Sequence, residues 1–170
     1  MYGRLHVAPV VAEFIAKHPA VEVELVLLDR VVDLVEEGID AGVRIGRLPE
    51  STLIALPVGE TRRVVCASPA YLRRAGVPKT PAELAAHAAV VFSGLGGSEW
   101  SFEGEAPRRV PVRAVLRTNQ VDAALEACER GLGCGQFLSY QVEAAVAAGR
   151  LRRVLEAFEP APVPVQIVYP

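Results

Sequence analysis

The spacing of hydrophobic positions changes several times along this chain, and each change predicts a new element. In "RLHVAPVVAEFIAKHP" the residues Val7, Val10, Val11, Phe14 and Ile15 fall near one face of a helix. That helix is expected to end at His18-Pro19, with Pro9 in or just before its first turn, where a missing N–H costs nothing. In "VEVELVLLD" the period drops to two, which predicts a strand polar at its start and apolar on both faces by its end. Asp29 is the expected cap of a following helix with Val31, Leu34 and Val35 as its buried stripe and Gly38 at its C-cap. From Ile39 the period is two again. Ile39, Ala41, Val43 and Ile45 share one face, and Asp40, Gly42, Arg44 and Gly46 the other. Strand, helix and strand in this order predict a βαβ crossover in a parallel sheet.

The rest of the chain continues in mixed α/β order. "VVCAS" predicts a strand, followed by a helix with Ser68 as N-cap, Pro69 at its first position and an end before Gly76. "TPAEL" has the spacing of a capping box between Thr80 and Glu83. Strands are predicted over 88–93 and 108–119, separated by Gly-rich and polar stretches. "TNQVDAALEACERGLG" predicts a helix with Val121, Ala124, Leu125 and Cys128 as its stripe and Gly131 at its end. A further helix is bracketed by Ser139 and Gly149, "LRRVLEAF" reads as a strand, and a Pro-rich approach leads to a last strand in "VPVQIVY".

Composition narrows the function classes. The 170 residues are 51% hydrophobic and 22% charged, enough for one sizeable core or two small lobes. A net charge of -2 gives no global positive field to hold the chain on nucleic acid or an anionic membrane. Three cysteines, Cys66, Cys128 and Cys134, form neither a disulfide framework nor a Cys-x-x-Cys pair. With no secretory signal pattern at the start and no apolar run of ~18 residues, the expected location is the cytoplasm.

Candidate chemistry is sparse. The clusters "GLGGS" and "GLGCGQ" do not spell a dinucleotide or phosphate loop, and turn and helix-cap roles account for their glycines. His6, His18 and His87 lack metal-ligand spacing, and Ser93 lies in no nucleophile elbow. No metal, cofactor or catalytic group is expected. What remains is a strand delivering "RTNQ" into a helix. It sets the Thr118 and Asn119 side chains beside free first-turn N–H groups, which suits a small carboxylate, plain capping being the alternative.

The succession from "LHVAPVVAEFIAKHP" through "RRVVCASPAYLRRAG", "TPAELAAHAAVVFS" and "VPVRAVLRTNQVDAALEACERGLG" to "VPVQIVYP" resembles the effector-binding domain of LysR-type transcriptional regulators. The resemblance covers nearly the whole chain in order. It implies a two-lobed fold like that of periplasmic solute-binding proteins, with mixed sheets and two crossover strands. Lobe I would be residues 1–62 with 163–170, lobe II residues 63–162, and a small effector would sit in the cleft. Relative to the family pattern, the first strand, the polar residue after it and the closing helix of lobe I are missing.

Carried over position by position, the resemblance implies a cleft lined by Tyr2, Gly3, Asp29, Arg30 and Gly46 from lobe I. Lobe II would add Ser93, Thr118, Asn119, Gln136 and Phe137. The expected ligand is a small organic effector such as a carboxylate. The expected assembly is a homodimer or tetramer that pairs the first helix of one domain with lobe II of its partner. DNA would be held only through an N-terminal winged helix-turn-helix absent from this chain. The expected function is thus regulatory effector binding without catalysis. A free-standing solute-binding protein is the alternative, and would need an export signal. Arg44 shares a face with Asp40 but lies ~13 Å from it along the strand. It needs another partner, and a structural or hinge role is favoured over effector contact.

Overall fold

The computed structural model describes residues 1–28, 32–48, 52–104 and 108–170. The chain forms two compact units, Met1–Gly59 with Pro164–Pro170, and Glu60–Val163.

In the first unit, helical backbone starts ahead of Pro9. A widened turn over Gly3–Val7, closed by the Ala8 N–H on the Gly3 carbonyl, leads into α1 (Ala8–Lys17). Pro9 lacks an N–H, and its ring crowds the carbonyl four residues back; the wider turn accommodates both. Residues 21–28 belong to no strand, and their large apolar side chains are exposed. Alternation predicts a face, but a strand exists only when another chain segment takes its N–H and C=O groups, and among the described residues none does.

The helix expected from Asp29 is a single turn. Asp33 caps it, its Oδ1 accepting from the N–H groups of Val35 (3.0 Å) and Glu36 (3.1 Å). Gly38, at φ +65°, closes it, with Ile39 N–H reaching the Leu34 carbonyl at 2.8 Å. Asp29 and Val31 lie outside the described residues. Leu34 is buried, whereas Val35, expected on the same stripe, is exposed.

β1 (Gly42–Ile45) and β2 (Ile54–Thr61) flank β10 (Val163–Tyr169) in a three-stranded sheet. β1 pairs antiparallel with β10, so the parallel βαβ pairing expected here is not formed among the described residues. Gly42 packs inward, where a Cβ would meet Leu34 at 3.3 Å and Val168 at 3.6 Å. Arg44, on the same face, donates to the Val32 carbonyl and ties the strand to the segment before it.

The second unit holds a five-stranded sheet in the order β7 (Arg113–Thr118), β4 (Ala88–Phe92), β8 (Cys134–Leu138), β3 (Arg63–Ala67), β9 (Arg152–Val154). β4 runs parallel to β7 and β8, and β3 antiparallel to β8 and β9. The stretch 108–119, expected as one strand, divides at buried Val112 into β6 (Arg108–Pro111) and β7. β6 pairs instead with β5 (Glu99–Phe102) in a separate hairpin.

α2 (Pro69–Ala75) is capped as expected, Ser68 Oγ accepting from Tyr71 N–H at 3.2 Å. "TPAEL" forms a 3₁₀ turn over Pro81–Ala86, and Glu83 reaches back to the N–H of Lys79, not of Thr80. α3 (Val121–Glu129) buries all four expected stripe residues, and α4 (Ser139–Ala147) follows β8 directly.

One core face of the sheet packs Val65, Ala67, Ala89, Val91 and Cys134 against Tyr71, Leu72, Leu84, Trp100 and Phe102. Within it the Tyr71 hydroxyl accepts from Ala88 N–H (3.0 Å) and shares a hydrogen bond with His87 Nδ1 (3.1 Å). That link fixes where β4 begins.

Candidate ligand site

Because β4 lies between two strands parallel to it, the carboxyl ends of β7, β4 and β8 fall on one edge of the sheet. Phe92 stands opposite Thr118, and Val90 opposite Gly135. Ser93 leaves β4 there, Asn119 leaves β7, and α3 and α4 begin there, the arrangement in which open α/β sheets bind ligands.

The alternation of strand side chains assigns the faces. Cys134 lies in the core, so Gln136 shares that face, while Ser93 lies past the end of β4 in the turn after Phe92. Gly135 faces away: a Cβ there would meet Cys128 of α3 at 2.7 Å and would run into the Phe137 ring.

The structure therefore brings Ser93, Thr118, Asn119 and Gln136 to one edge of the second unit. Their states differ. Thr118 Oγ1 already accepts from Gln120 N–H at 3.0 Å, and α3 carries Asp122 in its first turn, whose carboxylate opposes an anionic ligand at that helix end. Ser93 and Asn119 are exposed. Gln136 is only 4% exposed, and among the described residues nothing hydrogen-bonds its carboxamide. Phe137 is fully buried and offers no surface to a ligand.

In the first unit, the Tyr2 ring lies 4.7 Å from that of His6. Gly3 is approached by Leu27 so closely that a Cβ would stand 2.5 Å from its Cδ2. Gly46, at φ +114°, accepts from Gln166 Nε2 at 3.1 Å. Asp29 and Arg30 lie outside the described residues.

Sequence reasoning passed over Arg63. It pairs with Leu138, the residue before α4, and its guanidinium donates to the Leu95 carbonyl at 2.7 Å. Burial lowers its pKa from the ordinary arginine value, and among the described residues no carboxylate pairs with it. The signal was present in "RRVVCAS" as a cation at the first position of an otherwise apolar strand. An open depression lined by Pro69, Arg152, Arg153 and Glu156 lies beside β9. Its Arg153 is already neutralised by Glu159 at 2.5 Å.

Cys66, Cys128 and Cys134 are buried free thiols. Burial pushes Cys66 and Cys134 up to about 12 and raises Cys128 as well, which removes the thiolate on which cysteine chemistry depends. Among the described residues, no three His, Cys, Asp or Glu side chains stand together to hold a metal ion, and no helix is long and apolar enough to cross a membrane.

Comparison with known proteins agrees with this architecture. The HTH-type transcriptional regulator YhjC of Escherichia coli K12 is 38% identical over 166 residues, which are 95% of this chain and 56% of that protein. YcaN of the same strain is 33% identical over 169 residues, 99% of this chain and 56% of that regulator. The chain thus spans about half the length of the curated relatives it matches. Among solved structures, the regulatory domain of AphB from Vibrio vulnificus superposes with a TM-score of 0.86 at 22% identity, covering 99% of this chain and 85% of that one. The regulatory domain of CrgA from Neisseria meningitidis gives 0.83 at 26% identity, over 99% and 83%. The family model for the LysR substrate binding domain matches residues 1–170, and the chain belongs to that family.

Proposed function

We propose that the chain is the effector-binding part of a transcriptional regulator that works in the cytoplasm as a homodimer or tetramer. It binds a small organic effector, a carboxylate by preference, and holds DNA only through a winged helix-turn-helix carried elsewhere in the parent protein. The observation that carries this reading is the family match over residues 1–170, set beside HTH-type regulators of which the chain spans only part. Binding without catalysis fits the local chemistry. The polar groups at the carboxyl ends of β4, β7 and β8 can orient a ligand, but they include no coupled base and nucleophile. Ser93, Thr118, Asn119 and Gln136 are the contacts offered by the second unit, and Tyr2, Gly3 and Gly46 those offered by the first.

Footprinting the full-length parent on the DNA flanking its own gene tests the reading. A protected operator whose pattern changes with a small organic acid is the expected result. A parent that protects no DNA, with or without acids, would refute it.

A further inference from the structure

Two polar groups share one face of the second unit's sheet, and a third lies at its edge. Arg63 stands opposite Leu138, and Val65 opposite Gln136. Arg63 and Gln136 are thus diagonal neighbours on the same face, ~7–8 Å apart between Cα atoms. Ser93 follows Phe92, the last residue of β4, and opens the turn beyond it. The hydrogen bond from Arg63 to the Leu95 carbonyl holds the guanidinium against the turn that begins at Ser93. That bond uses one of five N–H donors, and the rest have no carboxylate among the described residues. Gln136 is only 4% exposed, yet its carboxamide is not among the sealed-off unpaired atoms of the described residues, Ser98 Oγ and Arg153 Nε, so with no protein partner there it stays in reach of solvent and open to a ligand. Of the two helices that begin at this edge, α3 has Asp122 in its first turn and α4 has no acid there. An anion is therefore drawn to the α4 side, where Arg63 lies.

We infer that Arg63 is the anchoring cation for the carboxylate of a small acid, with Gln136 donating to the same ligand and Ser93 at its rim. This deepens the effector-binding reading above and rests on it. A planar guanidinium takes a carboxylate through two parallel N–H bonds, which an ammonium cannot reproduce.

The test uses the 170-residue chain, with benzoate and succinate as probes, each against its uncharged amide at matched ionic strength. Thermal shift and the ¹H–¹⁵N signal of the Arg63 side chain are the readouts. At least one acid is expected to raise the unfolding midpoint and move the Arg63 Nε–H signal, while its amide does neither. Arg63→Gln then weakens that acid at least tenfold and Arg63→Lys severalfold. Gln136→Leu also weakens it severalfold, without lowering the midpoint measured in the absence of acid. These last two variants keep the test decisive if Arg63→Gln does not fold. The inference is overturned if neither acid acts on the wild-type chain, or if Arg63→Lys and Gln136→Leu bind as the wild type does. In either case, a parent protein that still answers an effector on DNA preserves the regulator reading and removes only the arginine.

Discussion

Raising the pH should unfold the second unit through its three thiols. Cys66 and Cys134 are pushed from 9.0 up to about 12, and Cys128 is raised too, mainly because burial penalises the thiolate. The unfolded chain ionises these groups near 9 while the folded unit keeps them protonated. Their contribution is therefore complete below pH 9 and is lost as pH climbs from there toward 12. Because the unfolded thiols are only half ionised at pH 9, each costs the fold about 1 kcal/mol between pH 9 and 10, and the three together remove about 3 kcal/mol over that interval. That is a large share of the roughly 5–15 kcal/mol that holds a domain folded.

Urea titrations under reducing conditions at pH 7, 8, 9 and 10 measure this loss, and the fluorescence of Trp100, the chain's single tryptophan, reports on this unit's core. Cys128→Ala should flatten the slope above pH 9 by about a third of the thiol contribution. Tyr71, also raised by burial, contributes to both slopes and cancels in the difference. Equal slopes for the wild type and Cys128→Ala, or thiolate absorbance rising near pH 9 in the folded protein, would refute the reasoning.

Two further substitutions test the packing. A Cβ on Gly133 would stand 2.7 Å from the Ala88 carbonyl carbon, and backbone cannot step aside as a side chain can, so Gly133→Ala should lower stability by about 3 kcal/mol or more in the same urea assay. Gly97→Ala, with nothing within 4 Å, should stay within about 0.5 kcal/mol of the wild type. Arg44→Met removes the donor from the Val32 carbonyl, which should cost the first unit roughly 1–2 kcal/mol and speed hydrogen exchange of the Gly42–Ile45 amides. Unchanged exchange in that strand would show that the bond does not hold it.

What the sequence disclosed was what local chemistry decides. The α3 stripe, the Ser68-Pro69 start of α2 and the ends at Gly38, Gly76, Gly131 and Gly149 were legible, and all four glycines have φ between +65° and +87°. What it hid were pairings between distant segments. Residues 21–28 have strand periodicity but no strand partner among the described residues. β8 was missed because "CGQFL" is buried on both faces and so carries no alternation. The break at Val112 was invisible because the residues on both sides favour strands, and only the competing hairpin separates β6 from β7. Thr118 and Asn119 were legible as a strand-to-helix junction, while Ser93 and Gln136 joined them only through the family pattern. Their shared edge takes physical form only through the parallel registers of β4 with β7 and β8.

The two strand arginines make the same point about function. Arg44 and Arg63 are alike in sequence: each sits in a strand with apolar neighbours, and each bonds one backbone carbonyl. Arg44 spends its bond on Val32, the segment its own strand must be tied to, beside a glycine packed against Leu34, so its role ends in the fold. Arg63 lies beside a carboxamide that has no protein partner among the described residues and stays in reach of solvent, and beside a helix end that has no acid in its first turn. A desolvated cation gains most from an anion where nearby donors are also unmet, because one carboxylate then satisfies several groups at once. The neighbours across the sheet, rather than the arginine itself, separate a structural tie from a ligand anchor.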